Sequence, residues 1–255
     1  MMSFYCSDLN MKKTSVFKCL IVLIRQLQGL IKMRKLREKG NVVEIHREDL
    51  HRIKLKIKGR DNVVRIGKLG ASNGVIRLSI CGDGNEITMG NGTKVGASLG
   101  IEVGMLSPNF DAVRAASVKI GNDCSFERVA IKLYNSNSSV NIGADCMFSY
   151  DINIWNTDAH PIFEKETGKI INYSRVLRVG NHVWVGAKAT LLKNITVGDD
   201  CVIGWGSVVG SSCPEANCVI AGNPARVVKH GITWDADGKS CGYIANDWNL
   251  QGDAE

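Results

Sequence analysis

The residues best suited to chemistry lie in one short stretch, Asn156-Thr157-Asp158-Ala159-His160-Pro161-Ile162. A free imidazole has a pKa of about 6.5, so a histidine in such a place can take a proton from a hydroxyl near neutral pH. Asp158 can orient that ring by hydrogen bonding or can cap a turn, and the sequence leaves both open. Of the other histidines, His182 sits inside a regular repeat, and no motif surrounds His46, His51 or His230. The nine cysteines, at 6, 19, 81, 124, 146, 201, 213, 218 and 241, are odd in number and contain no CxxC pair. They read as free thiols in a reducing cytoplasm rather than zinc ligands or a disulfide framework, and no metal is expected.

His160 interrupts a repeat. From Val179 an aliphatic residue recurs every six positions, often followed by Gly: Val179-Gly180, Val185-Gly186, Leu191, Val197-Gly198, Ile203-Gly204 and Val209-Gly210. Earlier copies are Ile142-Gly143, Phe148 and Ile154, then Ile120-Gly121 and Phe126, with weaker ones at Ile66, Met89 and Val95. A second register of small or β-branched residues includes Cys124, Cys146, Val183, Ala189, Cys201 and Cys213. A period of six fits neither a helix nor an alternating strand. It fits a solenoid of short strands and corners, three strands to a coil of about 18 residues. The aliphatic residue points inward, the Gly lets the backbone turn without a Cβ clash, and the small residue fills the narrowing corner. Several cysteines are then buried small hydrophobes. The phase is lost after Ile154 and resumes at Val179, so residues 160–178 read as a loop thrown out of the coil, where sites are commonly built.

The chain has 255 residues, 44% of them hydrophobic, which excludes wholesale disorder. It has no apolar run long enough for a membrane-spanning helix. The net charge of +7 is uneven: residues 1–60 carry 15 Lys/Arg against 5 Asp/Glu, and the remainder 17 against 20. Residues 1–60 are predicted to be a basic, helical segment. Val16, Phe17, Leu20, Leu23, Ile24, Leu27, Leu30 and Ile31 recur at helical spacing. Such a helix packs on the body or a neighbouring subunit, or lies on an anionic membrane surface. Nucleic acid is excluded as a partner by the lack of aromatic interleaving and of a zinc or helix-turn-helix signature. Residues 61–230 form the solenoid, and 231–255 a tail containing Trp234, Tyr243 and Trp248.

The repeat resembles the hexapeptide-repeat acyltransferases over roughly residues 62–230, most specifically 142–229. Asp158-Ala159-His160-Pro161-Ile162, Ile171-Asn172 and His182-Val183-Trp184-Val185-Gly186 resemble the O-acetyltransferase branch, which includes galactoside, maltose and capsule polysialic acid O-acetyltransferases. Ala221-Gly222-Asn223-Pro224-Ala225-Arg226 is a further hallmark. The resemblance implies a mainly β fold, a left-handed parallel β-helix, assembled as a homotrimer with sites between subunits. It implies acetyl-CoA as donor and His160 as general base, with Trp184 near the acceptor and the thioester. Matching cofactor positions are Gly186, Ala187, Gly204, Gly206 and Ser207, with Arg226 and Lys229 for the phosphates. Two departures stand out. Trp205 replaces a small residue beside the implied groove, where it can stack on the cofactor, narrow its channel or pack between subunits. Asn194 replaces a Gly, and asparagine tolerates the same left-handed backbone.

The expected function is cytoplasmic transfer of acetyl to a sugar hydroxyl of a bacterial surface polysaccharide or its precursor. On this reading the basic segment touches the inner membrane face or an anionic glycan. The alternatives are the same fold with an antibiotic, serine or amino-sugar acceptor, or a non-catalytic scaffold. A metal hydratase like the γ-class carbonic anhydrases is disfavoured, because only His160 and His182 lie in the region of clear six-residue repeats and they do not form an HxxxxH pair.

Overall fold

A computed structural model of the chain describes residues 38–106 and 111–236. The predicted amphipathic helix before residue 38, and Tyr243 and Trp248, lie outside the described residues. Seven strands, all parallel, make the first face: Val42–Ile45, Val63–Ile66, Glu86–Met89, Ser117–Ile120, Ser139–Ile142, Val176–Val179 and Thr196–Val197. A second sheet wraps the other two faces, so the chain winds as a left-handed parallel β-helix.

The six-residue period becomes vertical columns inside the prism. Ile45, Ile66, Met89, Ile120, Ile142, Val179 and Val197 stack in register on the first face. Phe126, Phe148, Val185, Ile203 and Ile220 form the second column, with the two Phe rings stacked at 4.9 Å. Ile131, Ile154, Leu191 and Val209 form the third. All three columns are buried except Ile45 at the first end, which is half-buried, and the apolar area they remove from water is the main stabilising term.

The glycines work differently from the sequence expectation. A Cβ on Gly121 would lie 2.6 Å from backbone atoms of Gly143 and Ala144 in the next coil, so these positions are glycine because coils approach closely. The left-handed conformation falls two residues later, on Asp123, Asp145, His182 and Asp200, and Asn and Asp are among the few residues that tolerate it. Asn194 is left-handed too, with φ 60°.

Two boundaries need correction. Residues 42–58 are not helical apart from a 3-10 turn at Arg47–Arg52. The strands Val42–Ile45 and Ile53–Lys58 form the first coil and pair in parallel with Val63–Ile66 and with Val75–Asp83. Ile53, Leu55 and Ile57 alternate with Lys54, Lys56 and Lys58, which is the two-residue period of a strand with one face solvated. The loop is also shifted: the coil is left after Ile152–Asn156 and resumes at Val176, not Val179.

The first coils carry an internal amide ladder. Asn41, Asn62 and Asn85 are buried at one corner. Asn62 Nδ2 donates to Asn41 Oδ1 (3.0 Å) and to the Gly82 carbonyl (2.9 Å), and Asn85 Nδ2 repeats this toward Asn62 Oδ1 and the Val113 carbonyl. Each amide oxygen also accepts the next coil's backbone N–H, the last from Ala116. Buried polar groups paired in this way avoid the cost of desolvation without a partner.

Candidate active site

The loop between Asn156 and Val176 turns on Thr157, Asp158 and Ala159. Thr157 Oγ1 accepts the Ala159 N–H at 2.9 Å and donates to Asn135 Oδ1 at 3.3 Å. Ala159 is left-handed (φ 61°), and the His160 N–H donates to the Asp158 carbonyl at 2.7 Å. His160 thereby lines a cleft of about 100 Å³ with Tyr134, Asn135, Asp158, Asn172 and Tyr173.

Asn172 ties the loop together. Its Oδ1 accepts the Ile162 N–H (2.8 Å), and its Nδ2 donates to the His160 carbonyl (2.9 Å) and to Asp158 Oδ2 (2.7 Å). Lys193, on the adjoining coil, pairs with the same carboxylate oxygen. Partial burial raises the Asp158 pKa, but the Lys193 and Asn172 hydrogen bonds and the Lys193 charge outweigh it and hold the carboxyl below its usual range. Asn194 holds the loop's return, accepting the Arg175 N–H at 2.6 Å and donating to the Tyr173 carbonyl at 2.8 Å. The Lys193-Asn194 pair, read from sequence as a backbone substitution, therefore anchors both ends of the loop. Tyr134 donates to Glu102 at 3.0 Å, and burial, then that hydrogen bond and the carboxylate charge, push its phenol well above the ordinary value.

Trp184 lies elsewhere. It sits on the second face, paired in register with Met147 and Val202, whereas the His160 loop springs from the corner between the third face and the first. Trp184 is 37% exposed. Its Nε1 donates to Ser149 Oγ at 3.4 Å. Trp234, returning from the tail, stacks on His182 (4.3 Å, 9°) and lies 6.1 Å from Trp184.

Gly186, Ala187, Gly204, Trp205, Gly206 and Ser207 share a third place, the corner between the second and third faces. The Gly206 N–H donates to the Ala187 carbonyl at 2.9 Å, and the buried Ser207 Oγ accepts the Gly222 N–H at 3.1 Å. Gly186 and Gly204 are close-packed: a Cβ would sit 2.7 Å from the Ile203 carbonyl oxygen and 3.0 Å from the Ala221 Cβ, respectively. Trp205 projects from this corner, 72% exposed, with Lys188 Nζ 6.0 Å from its ring centre. Arg226 and Lys229 are exposed on the last strand, Ala225–His230. Sequence reasoning gave no role to Asn172, though it stood in a quoted motif. It also missed a cluster of Glu215, Cys218 and His230 at the end of the coil.

The chain belongs to the hexapeptide-repeat transferases and is an acetyltransferase. The family described as bacterial transferase hexapeptide (six repeats) matches residues 178–211. The polysialic acid O-acetyltransferase of Neisseria meningitidis is 32% identical over 192 residues, 69% of this chain and 87% of that protein. The galactoside O-acetyltransferase of Escherichia coli (strain K12) is 32% identical over 91 residues, 36% of this chain and 44% of that protein. The crystal structure of the polySia-specific acetyltransferase NeuO superimposes with a TM-score of 0.58 at 25% identity, covering 72% of this chain and 89% of that one.

Proposed function

We propose that this protein moves an acetyl group from acetyl-CoA to a sugar hydroxyl of a bacterial surface polysaccharide or its precursor. The observation that carries the reading is the His160 cleft, on a chain matched over most of its length by a polysialic acid O-acetyltransferase. His160 takes the hydroxyl proton as the oxygen attacks the thioester carbonyl. The oxyanion collapses, the carbon–sulfur bond breaks, and the proton passes from the imidazolium to the departing CoA thiolate. Both substrates are bound together and no acyl-enzyme forms. Asp158, through Asn172 and Lys193, positions the loop backbone.

The donor lies along the corner of Gly186, Ala187, Gly204, Gly206 and Ser207, with Trp205 as a stacking face and Arg226 and Lys229 for its phosphates. This corner and the cleft are on different corners of one chain, so a neighbouring chain's donor corner completes each site in a homotrimer, and Trp184 joins the chemistry across that interface. The loop supports this arrangement: Ile162, Phe163, Ile171 and Tyr173 are all more than half exposed, an apolar patch suited to cover by a partner. Among the described residues no helix is long and apolar enough to cross a membrane, and the enzyme works in the cytoplasm, with its basic first segment near the membrane or the glycan.

The test follows free CoA by chromatography with acetyl-CoA and a panel of galactosides, maltose, sialic acid polymers, serine and aminoglycoside-type antibiotics. Turnover with a glycan, abolished in His160→Ala, is the expected result. Undiminished turnover in that variant removes His160 from the mechanism, and turnover confined to an amine moves the acceptor class.

A further inference from the structure

Four buried cysteines, Cys124, Cys146, Cys201 and Cys218, occupy equivalent corner positions at the start of the second face, with Val183 in that position in the coil between Cys146 and Cys201. The first three donate Sγ to a carbonyl of the next coil: Gly143 (3.1 Å), Gly180 (3.2 Å) and Glu215 (3.2 Å). Cys218 Sγ donates to the Ala216 carbonyl of its own turn (3.2 Å), as Cys146 also does to Ala144 (3.5 Å), but Cys218 belongs to the last coil, so the next coil's carbonyl is missing beyond it. That place is taken by His230, whose Nδ1 is 3.4 Å from Cys218 Sγ. The antiparallel strand Ala225–His230 brings it there, with Cys218 and His230 as register partners. The same Nδ1 is 3.2 Å from Glu215 Oε2. All three ligand atoms lie within 4.8 Å of one another.

These separations have a chemical meaning. Tetrahedral zinc, with sulfur at about 2.3 Å and nitrogen or oxygen at about 2.0–2.2 Å, holds its ligand atoms about 3.3–3.6 Å apart. The sulfur–nitrogen and nitrogen–oxygen edges are already close to that. The third edge closes by rotation of Glu215, a surface side chain 65% exposed. We propose that Glu215, Cys218 and His230 bind a zinc ion, with water in the fourth position. A thiolate and an imidazole favour zinc over magnesium or calcium, which take all-oxygen sites. On binding, the Cys218 thiol proton passes to solvent and the metal keeps its oxidation state. The ion pins the last strand to the last coil. It thereby fixes the strand that bears Arg226 and Lys229, and the turn that leads to Trp234. The site stands independently of the acetyl-transfer reading.

The experiment uses the full chain, stripped with chelator and dialysed. Zinc chloride is titrated by calorimetry, and cobalt(II) is followed by absorption. Expected are one tightly bound zinc per chain, a thiolate-to-cobalt charge-transfer band and a higher Tm with zinc. All three are lost in Cys218→Ser and in His230→Gln, whose exposed position keeps the fold safe. Glu215→Gln weakens binding by more than about tenfold, and Cys213→Ala leaves it unchanged. Absence of a tight site in the wild type, or zinc binding undiminished in His230→Gln, overturns the proposal.

Discussion

The coil and the loop are held by different forces. In the coil, three columns repeat the same apolar contact at every turn, and each inner strand is bonded to neighbours above and below. In the loop, Ile162, Phe163, Ile171 and Tyr173 face outward, and shape comes from a few polar ties centred on Asn172 and Asp158. Many weak equivalent contacts make the coil tolerant of any one loss and stiff as a whole. A few unequal contacts make the loop specific, so one substitution there can move the His160 backbone while the prism stands. On the proposed mechanism, stability belongs to the coil and chemistry to the loop, and damage to each is expected to be separable.

Substitutions can break that separation. The largest effect is expected from His160→Ala, with acetyl transfer reduced about 10²–10⁴-fold and Tm unchanged; a large fall in Tm would show that the loop supports the fold. Phe148→Ala should do the opposite. It removes a fully buried ring from the second column and should cost about 3–5 kcal/mol in urea unfolding, with turnover per folded molecule preserved. Asn172→Ala should lower kcat by up to about 10²-fold through misplacement of His160, with stability nearly intact; if KM alone changes, Asn172 contacts the acceptor instead. Asn62→Ala should destabilise by about 1–3 kcal/mol for each buried group left unpaired, again without a change in kcat.

The smallest effect is a titration. Asp158 is held below its usual value of 3.8, so its tie to Lys193 and Asn172 is fully present above that value and is lost as pH falls through the lower, folded one. Carbon NMR of the Asp158 carboxyl should show the depressed midpoint, and Lys193→Met should move it upward. An unmoved midpoint would mean that Asn172 alone holds the carboxylate.

Much of the fold was legible because the columns are written at fixed spacing. From Val179 to Val209 every sixth residue is aliphatic, and each lands in a column. The first coil was hidden because its strands lack the aliphatic-Gly pair and carry lysines, so Ile53–Lys58 looked like part of a basic helix. The ladder was hidden because Asn41, Asn62 and Asn85 are 21 and 23 residues apart, longer than the period found later. Each stands immediately before a strand, and that was the available signal. For the site, His160 and its loop were visible as a break in phase. The roles of Asn172 and Lys193 were not, because both depend on where the chain returns after leaving the coil. Nor did sequence show that Trp184 and His160 stand on different sides of the prism, since a period of six carries no information on which corner a loop leaves from.

The last strand has a consequence beyond holding two basic residues. A parallel solenoid ends in a row of unsatisfied backbone groups matching the row at its own beginning, so identical prisms can in principle join end to end into a filament. Ala225–His230 runs antiparallel to Cys218–Gly222 and lies over that final rung. Reversed direction spoils the template for another parallel rung, and Arg226, Lys229 and His230 place charge or polarity along the new rim. A reversal of only six residues thus closes the second face of the prism against the addition of another parallel rung.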